Sequence, residues 1–140
     1  MPCPFFVPRR IISTAELRSA RLPLVEEYSG QCLNRTLVGE DAQSYSCNHG
    51  YALGICENFP ASEKNSANRY SLLRRDQEQL DVLFIREEEY APVSTRRLHY
   101  RISAACLLEQ DLEPCIAAQA AAFCRSYLKL LGIHVTDSSQ

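Results

Sequence analysis

Several features are missing from this chain, and each absence narrows what it can be. No stretch approaches the roughly 18 apolar residues needed to cross a bilayer, so no membrane span is expected. Arg9 and Arg10 are not followed by an apolar segment of secretory type, so no export signal is read and a reducing, cytoplasmic setting is expected. Positive charge is not in excess. The formal net charge is −2, whereas general nucleic-acid binders are usually strongly basic, so nucleic acid is disfavoured as a partner. H-E-x-x-H, the phosphate-binding P-loop, G-x-G-x-x-G and an ordered Ser/His/Asp set are all absent. No catalytic residue can be named, and the chain reads as non-enzymatic. Nor is there any C-x2-C pair, the usual mark of a small zinc site.

What the chain does have is seven cysteines in 140 residues. In a reducing compartment thiols serve more often as ligands or small buried groups than as disulfides, and an odd number cannot pair completely. The length suits a single domain, 1–140, able to bury about two thirds of its unfolded surface, so a metal is not required merely to build a core. Within it, residues 1–60 form a cysteine-rich half and residues 68–132 a sheet-plus-helix half.

The first half lacks clear periodicity. Cys3-Pro4-Phe5-Phe6-Val7-Pro8 is apolar and interrupted by two prolines, which predicts an extended, packed arm that docks Cys3. Ser13 and Glu16 have capping-box spacing, predicting a short helix from Thr14 to about Ala20, stopped by Pro23. Residues 22–32 read as a loop closing on a turn at Gly30 just before Cys32, and residues 33–46 as a polar loop or short helix with a turn at Gly39-Glu40-Asp41. From Cys47 to Cys56, Gly50 and Gly54 allow positive φ or close approach to a bulky group.

The second half is more regular. Three strands are predicted, over 68–74, 80–87 and 96–103, joined by turns at 76–79 and 88–94 into an antiparallel meander. Leu98, Tyr100 and Ile102 alternate with Arg97, His99 and Arg101, the pattern of a sheet with one wet face. Glu87-Glu88-Glu89 reads as a solvated edge. A helix follows, with Asp111 as N-cap, Pro114 in the first turn and Gly132 as its stop. Ile116, Ala120, Phe123, Cys124, Tyr127 and Leu131 form its buried stripe.

Helical geometry sorts the thiols. Cys115 and Cys124 are nine positions apart, so at about 100° per residue they point in opposite directions and cannot share a metal. Cys124 reads as a core hydrophobe, Cys106 as structural and Cys115 as lying on the more exposed side. That leaves Cys3, Cys32, Cys47 and Cys56, spaced C-x28-C-x14-C-x8-C in the irregular half. Thiolates select zinc or iron–sulfur clusters. Single ligands on separate loops favour a four-iron (4Fe-4S) cluster, with zinc as the alternative. His49 is a candidate to replace Cys3 as ligand. His99 and His134 read as a solvated strand residue and a residue near the chain end. Arg69, Arg74, Arg75, Arg96, Arg97 and Arg101 are a candidate patch for an anionic partner.

Together, Cys3-Pro4-x-Phe6, Arg21-Leu22-Pro23-Leu24, Tyr28-Ser29-Gly30-x-Cys32, Cys47-Asn48-x-Gly50-Tyr51-Ala52 and Cys56-x-x-Phe59-Pro60 resemble a group of small bacterial proteins with a CPxF start and a CN-x-GYA-x3-C-x2-FP core. The resemblance implies that the four thiols act together; it does not favour iron over zinc. The expected fold is α+β, an irregular metal-bound N-terminal half packed on a three-stranded antiparallel sheet with a C-terminal helix. The expected function is a non-enzymatic iron–sulfur protein, serving in electron transfer or as a redox-sensitive subunit with a protein partner. The alternatives are a zinc- or cluster-stapled module binding a protein or anion, and a thiol-dependent enzyme.

Overall fold

A computed structural model describes residues 2–13, 27–34 and 45–131. The predicted helix over 14–20, the turn at 39–41, the stop at Gly132 and His134 lie outside the described residues.

The N-terminal arm is a strand, β1 (Phe6–Ser13), paired antiparallel with β2 (Glu27–Cys32). Residues read as loop in the sequence therefore form a two-stranded ribbon. Pro8 and two register shifts, between Pro8 and Arg10 and between Ile11 and Ser13, break the period-2 pattern that would have betrayed it. Gly30 is required by close approach rather than by a turn: a Cβ there would stand 1.9 Å from the Val7 carbonyl oxygen across the ribbon. A one-turn helix, α1 (Tyr45–His49), follows.

The second half is a meander of four strands where three are read in the sequence: β3 (Ser66–Arg75), β4 (Gln79–Glu88), β5 (Ala91–Arg101) and a two-residue β6 (Cys106–Leu107), all antiparallel in that order. Asp76 Oδ1 accepts the Glu78 and Gln79 amides at 2.8 and 2.9 Å, building the first turn as an Asx turn. The second turn is tighter than the sequence indicates. Glu89 and Tyr90 alone make it, both at positive φ (53° and 67°), as a two-residue hairpin demands. Neither is Gly or Asn, and the strain is offset by contacts. The Glu89 amide donates to the Asn65 carbonyl at 2.8 Å, and the Tyr90 ring stacks on Tyr51 at 4.2 Å. Pro92 consequently falls inside β5. Among the described residues no strand pairs with β5 there on the side of the short β6, and an edge position tolerates a missing N–H.

Helix α2 (Pro114–Leu130) has Glu113 rather than Asp111 as N-cap, with φ −63° and ψ 147°. Pro114 forces that extended geometry on its predecessor. Asp111 instead accepts from Arg96 at 2.6 Å. The helix is buried on two stripes, not one. Ile116, Ala120, Phe123 and Cys124 pack toward the four-stranded sheet, where the Phe123 ring lies 6.0 Å from that of Tyr70. Cys115, Gln119, Ala122 and Ser126 form the other stripe, and Gln119 and Ser126 bond to the ribbon. Cys115 is thus buried, correcting the expectation of exposure, while Leu131 is exposed. Cys106, read as structural, lies on the short edge strand β6 and is exposed.

His99 is half-buried rather than solvated. Glu109 Oε1 accepts its amide at 2.9 Å, and Oε2 lies 2.6 Å from its Nδ1. Burial pushes the Glu109 carboxyl up, but the amide and ring of His99 hold it net below its ordinary 4.5. A carboxyl lowered by folding stabilises the native state above its unfolded pKa, and that contribution is lost as pH falls through the folded value. Glu109→Gln is therefore expected to cost about 1 kcal/mol at pH 7. The difference from the parent should close as urea titrations are repeated below about pH 4. A gap that stays constant with pH would show that the carboxylate charge contributes nothing.

Candidate metal centre

The residues around the four thiols are held by a dense set of main-chain and side-chain bonds. The Cys3 amide donates to the Cys47 carbonyl at 3.0 Å, and the Leu33 amide, next to Cys32, to the Phe5 carbonyl at 3.0 Å. The Asn48 side chain pairs with Tyr28 as a strand would: its Oδ1 accepts the Tyr28 amide and its Nδ2 donates to the Tyr28 carbonyl, both at 3.0 Å. Asn48 thereby fixes Cys47 relative to β2. Between Cys47 and Cys56 the backbone turns through Gly50 (φ 78°), Tyr51 (φ 54°) and Gly54 (φ 81°). At Gly54 the dihedral is the whole reason for glycine, since an added Cβ would meet nothing within 4 Å. The Ile55 and Cys56 amides both donate to the Ala52 carbonyl at 2.9 Å, closing the loop.

Cys3, Cys32, Cys47 and Cys56 line one cavity of about 290 Å³, counted out to its open mouth. Its remaining wall is largely apolar, with Phe5, Phe6, Ala52 and Phe59, and the rings of Phe5 and Phe59 meet edge-on at 5.5 Å. Asn34 also lines it. Its Nδ2 is buried and has no hydrogen-bond partner among the described residues. A buried amide left unpaired costs about 1–3 kcal/mol, so an orphan donor at a cavity wall marks a place where an acceptor belongs. Sequence reasoning did not single out Asn34; its position two residues after Cys32 was the available signal.

Burial pushes the Cys3 thiol up to about 12, the Phe5 backbone amide opposes this, and Cys47, Cys32 and Cys56 push it further up. Without a cation Cys3 therefore favours its neutral thiol, and a metal that takes it as a thiolate must release its proton. Among the described residues no group of three or more His, Cys, Asp or Glu side chains is placed to hold a metal ion. The four thiols share a cavity without closing on a point, whereas tetrahedral zinc would need every sulfur about 2.3 Å from one centre. His49 ends α1 and is not part of the described cavity wall.

Tyr51, between Cys47 and Cys56 in the sequence, is not part of the described cavity wall. It turns toward the hairpin, where its hydroxyl donates to Glu87 and its ring stacks on Tyr90. Desolvation, then the Glu87 carboxylate, raises its phenol above the ordinary range. Glu87, read as a solvated edge residue, is instead buried between Tyr51 and Arg69, whose guanidinium lies 3.4 Å away. Arg69 and Arg96 of the expected anionic-partner patch are thus each paired with a carboxylate.

No family model, curated protein or solved structure matches the chain. Among the described residues no helix is long and apolar enough to cross a membrane.

Proposed function

We propose that the protein is a non-enzymatic iron–sulfur protein in which Cys3, Cys32, Cys47 and Cys56 hold one four-iron cluster. It would exchange single electrons with a protein partner. The observation that carries this reading is the convergence of four thiols, from four separate segments, on one apolar cavity with an unpaired amide donor in its wall. A cluster bears each thiolate on a different iron, so it suits thiols that surround a space better than thiols that meet at a point. When bound, the cluster would supply one-electron chemistry. The chain's own residues would set the conditions for it. Phe5, Phe6 and Phe59 would limit water, and the Phe5 amide and Asn34 Nδ2 would donate to sulfur, which favours the reduced state.

Anaerobically purified protein is expected to be brown, with about four irons and four sulfides per chain and broad absorption near 400 nm (a rough expectation for thiolate-bound iron). A colourless protein carrying one zinc would transfer the same ligands to a stapled binding module. A colourless protein free of metal, with all seven thiols reactive, would overturn the centre altogether.

A further inference from the structure

The first half of β5 stands outside the core. Residues 89–97 are exposed without a break, from the turn to Arg97. Within them Tyr90-Ala91-Pro92-Val93 is a run of consecutive exposed apolar residues, with Tyr90 68% and Val93 54% exposed. Such a run is a liability on a surface unless something covers it.

The backbone is open there too. β6 pairs with β5 only at Tyr100 and Arg101. Next to them, Glu109 accepts the His99 amide and the Leu108 amide donates to the His99 carbonyl. The amide and carbonyl of one strand residue point to the same side, and every second residue repeats the direction. Thr95 and Arg97 therefore turn theirs to the same edge as His99, and among the described residues no backbone group meets them. Edges are ordinarily blunted by charge, proline or a bulge. Here Pro92 and the register shift between Arg86 and Glu87 blunt the turn end alone. Val93-Ser94-Thr95 carries no charge, and Arg96 is paired with Asp111.

Charge along this edge is self-complementary. Glu88 and Glu89 stand at the turn, Arg97 and Arg101 toward the other end, and among the described residues none of the four is in an ion pair. One Glu89 oxygen accepts the Asn65 amide at 2.9 Å. The basic end also carries an apolar group, Leu108, 42% exposed beside His99. Laid antiparallel about a two-fold axis beside Thr95, two copies bring Glu88, Glu89 and Tyr90 of each toward Arg97, Arg101 and Leu108 of the other. A parallel arrangement would set acid against acid. Tyr90 suits an anchor because it is already held: its ring stacks on Tyr51, and Asn65 Nδ2 donates to its hydroxyl at 3.2 Å. Covering it costs little further side-chain entropy. We infer that the exposed edge of β5 is a self-association surface, where a second copy of this chain adds its own β5 antiparallel and continues the sheet across a two-fold axis. A strand edge of this length buries less than the roughly 1,600 Å² of a standard interface, so the dimer is weak and concentration-dependent. The inference does not depend on what the thiols hold.

The test is sedimentation equilibrium of the whole protein, as purified, in about 150 mM salt, where distant surface charges are largely screened. A monomer–dimer equilibrium with a dissociation constant of about 1–100 μM is expected. Thr95→Pro removes a donor from the edge and leaves the ladder to β4 intact, since that amide points away from β4; it should weaken dimerisation at least about tenfold. Arg97→Glu alone and Glu89→Arg alone should each weaken it at least about fivefold, because the two-fold axis repeats every like-charge contact. Mixing those two variants should restore dimers, since each then meets the opposite charge. Every variant is checked for an unchanged melting curve, and Glu88→Arg replaces Glu89→Arg if the turn is disturbed. Protein that stays monomeric up to about 1 mM would overturn the inference and leave the edge to an extended segment of a different protein. So would a dimer that Thr95→Pro and Arg97→Glu both leave unchanged, which would place the contact on another face.

Discussion

Cys47→Ser protein, expressed and purified beside the parent, is expected to lose its iron and sulfide almost entirely, to below about a tenth of the parent's content. Four thiolates complete a four-iron cluster, so one missing sulfur leaves one iron open to solvent and the assembly labile. Cys47 is the informative choice because its surroundings are fixed without the metal. Its carbonyl accepts the Cys3 amide, and its neighbour Asn48 is bonded twice to Tyr28. The substitution therefore removes a sulfur while leaving the frame in place. Metal binding to a site absent from the unfolded chain is also folding free energy, so the variant should melt well below the parent when both are purified anaerobically.

The control is Cys115→Ser. Cys115 is as buried as Cys3, and burial followed by Glu113 and Cys32 raises its thiol to about 11. It does not line the cavity, although Cys32 is close enough to affect it. It should keep the parent's iron content. A Cys115→Ser protein that lost iron as fully as Cys47→Ser would show that any buried thiol here is needed for folding, and the assignment of four specific ligands would fall. Loss of some other activity with iron retained would instead favour a thiol-dependent reaction.

The contrast between those two cysteines also shows what could be read from sequence. The grouping of Cys3, Cys32, Cys47 and Cys56 on one cavity was legible, because helical spacing set Cys115 and Cys124 apart and left four thiols in one irregular half. The meander was legible because Leu98 and Tyr100 alternate with polar neighbours and Leu80 and Val82 fall at the same period of two, and all four are fully buried. The exposure of Cys115 was misjudged because a helix touching one sheet has one buried stripe, whereas α2 has a second layer against it. That layer, the ribbon, was invisible: prolines, bulges and a glycine chosen for close approach leave no period to detect. The hairpin at Glu89-Tyr90 was hidden for a different reason. Its positive φ values are held by Asn65 and Tyr51, which are distant in sequence, and no local glycine announces them. His99 and Glu87 were misplaced because a charged residue on a wet-looking face gives no sign of the partner that folds over it.

Gln119→Leu is expected to destabilise the protein by about 3–5 kcal/mol, a large share of the 5–15 kcal/mol typical of a domain. Gln119 is fully buried on the ribbon-facing stripe of α2. Its Nε2 donates to the Cys3 carbonyl at 2.8 Å and the Phe6 carbonyl at 2.6 Å. Its Oε1 accepts from Asn68 Nδ2 and from the Tyr70 hydroxyl, both at 2.9 Å. One side chain thus joins the arm that carries Cys3 to the first strand of the meander. Leucine matches it in size but answers none of these groups. The Phe6 carbonyl, the Asn68 amide and the Tyr70 hydroxyl would each lose a bond inside the core, at about 1–3 kcal/mol apiece and less than additively. The Cys3 carbonyl would retain the Phe6 amide at 3.0 Å. Two readouts separate a general loss of stability from release of the arm. Urea unfolding gives the first. The rate at which a thiol reagent modifies Cys3 in the metal-free protein, well below the unfolding midpoint, gives the second, and it should rise at least about tenfold as local opening becomes easier. A variant that loses less than about 1 kcal/mol and keeps Cys3 as protected as in the parent would show that the apolar packing of Phe6, not the Gln119 bonds, holds the arm in place.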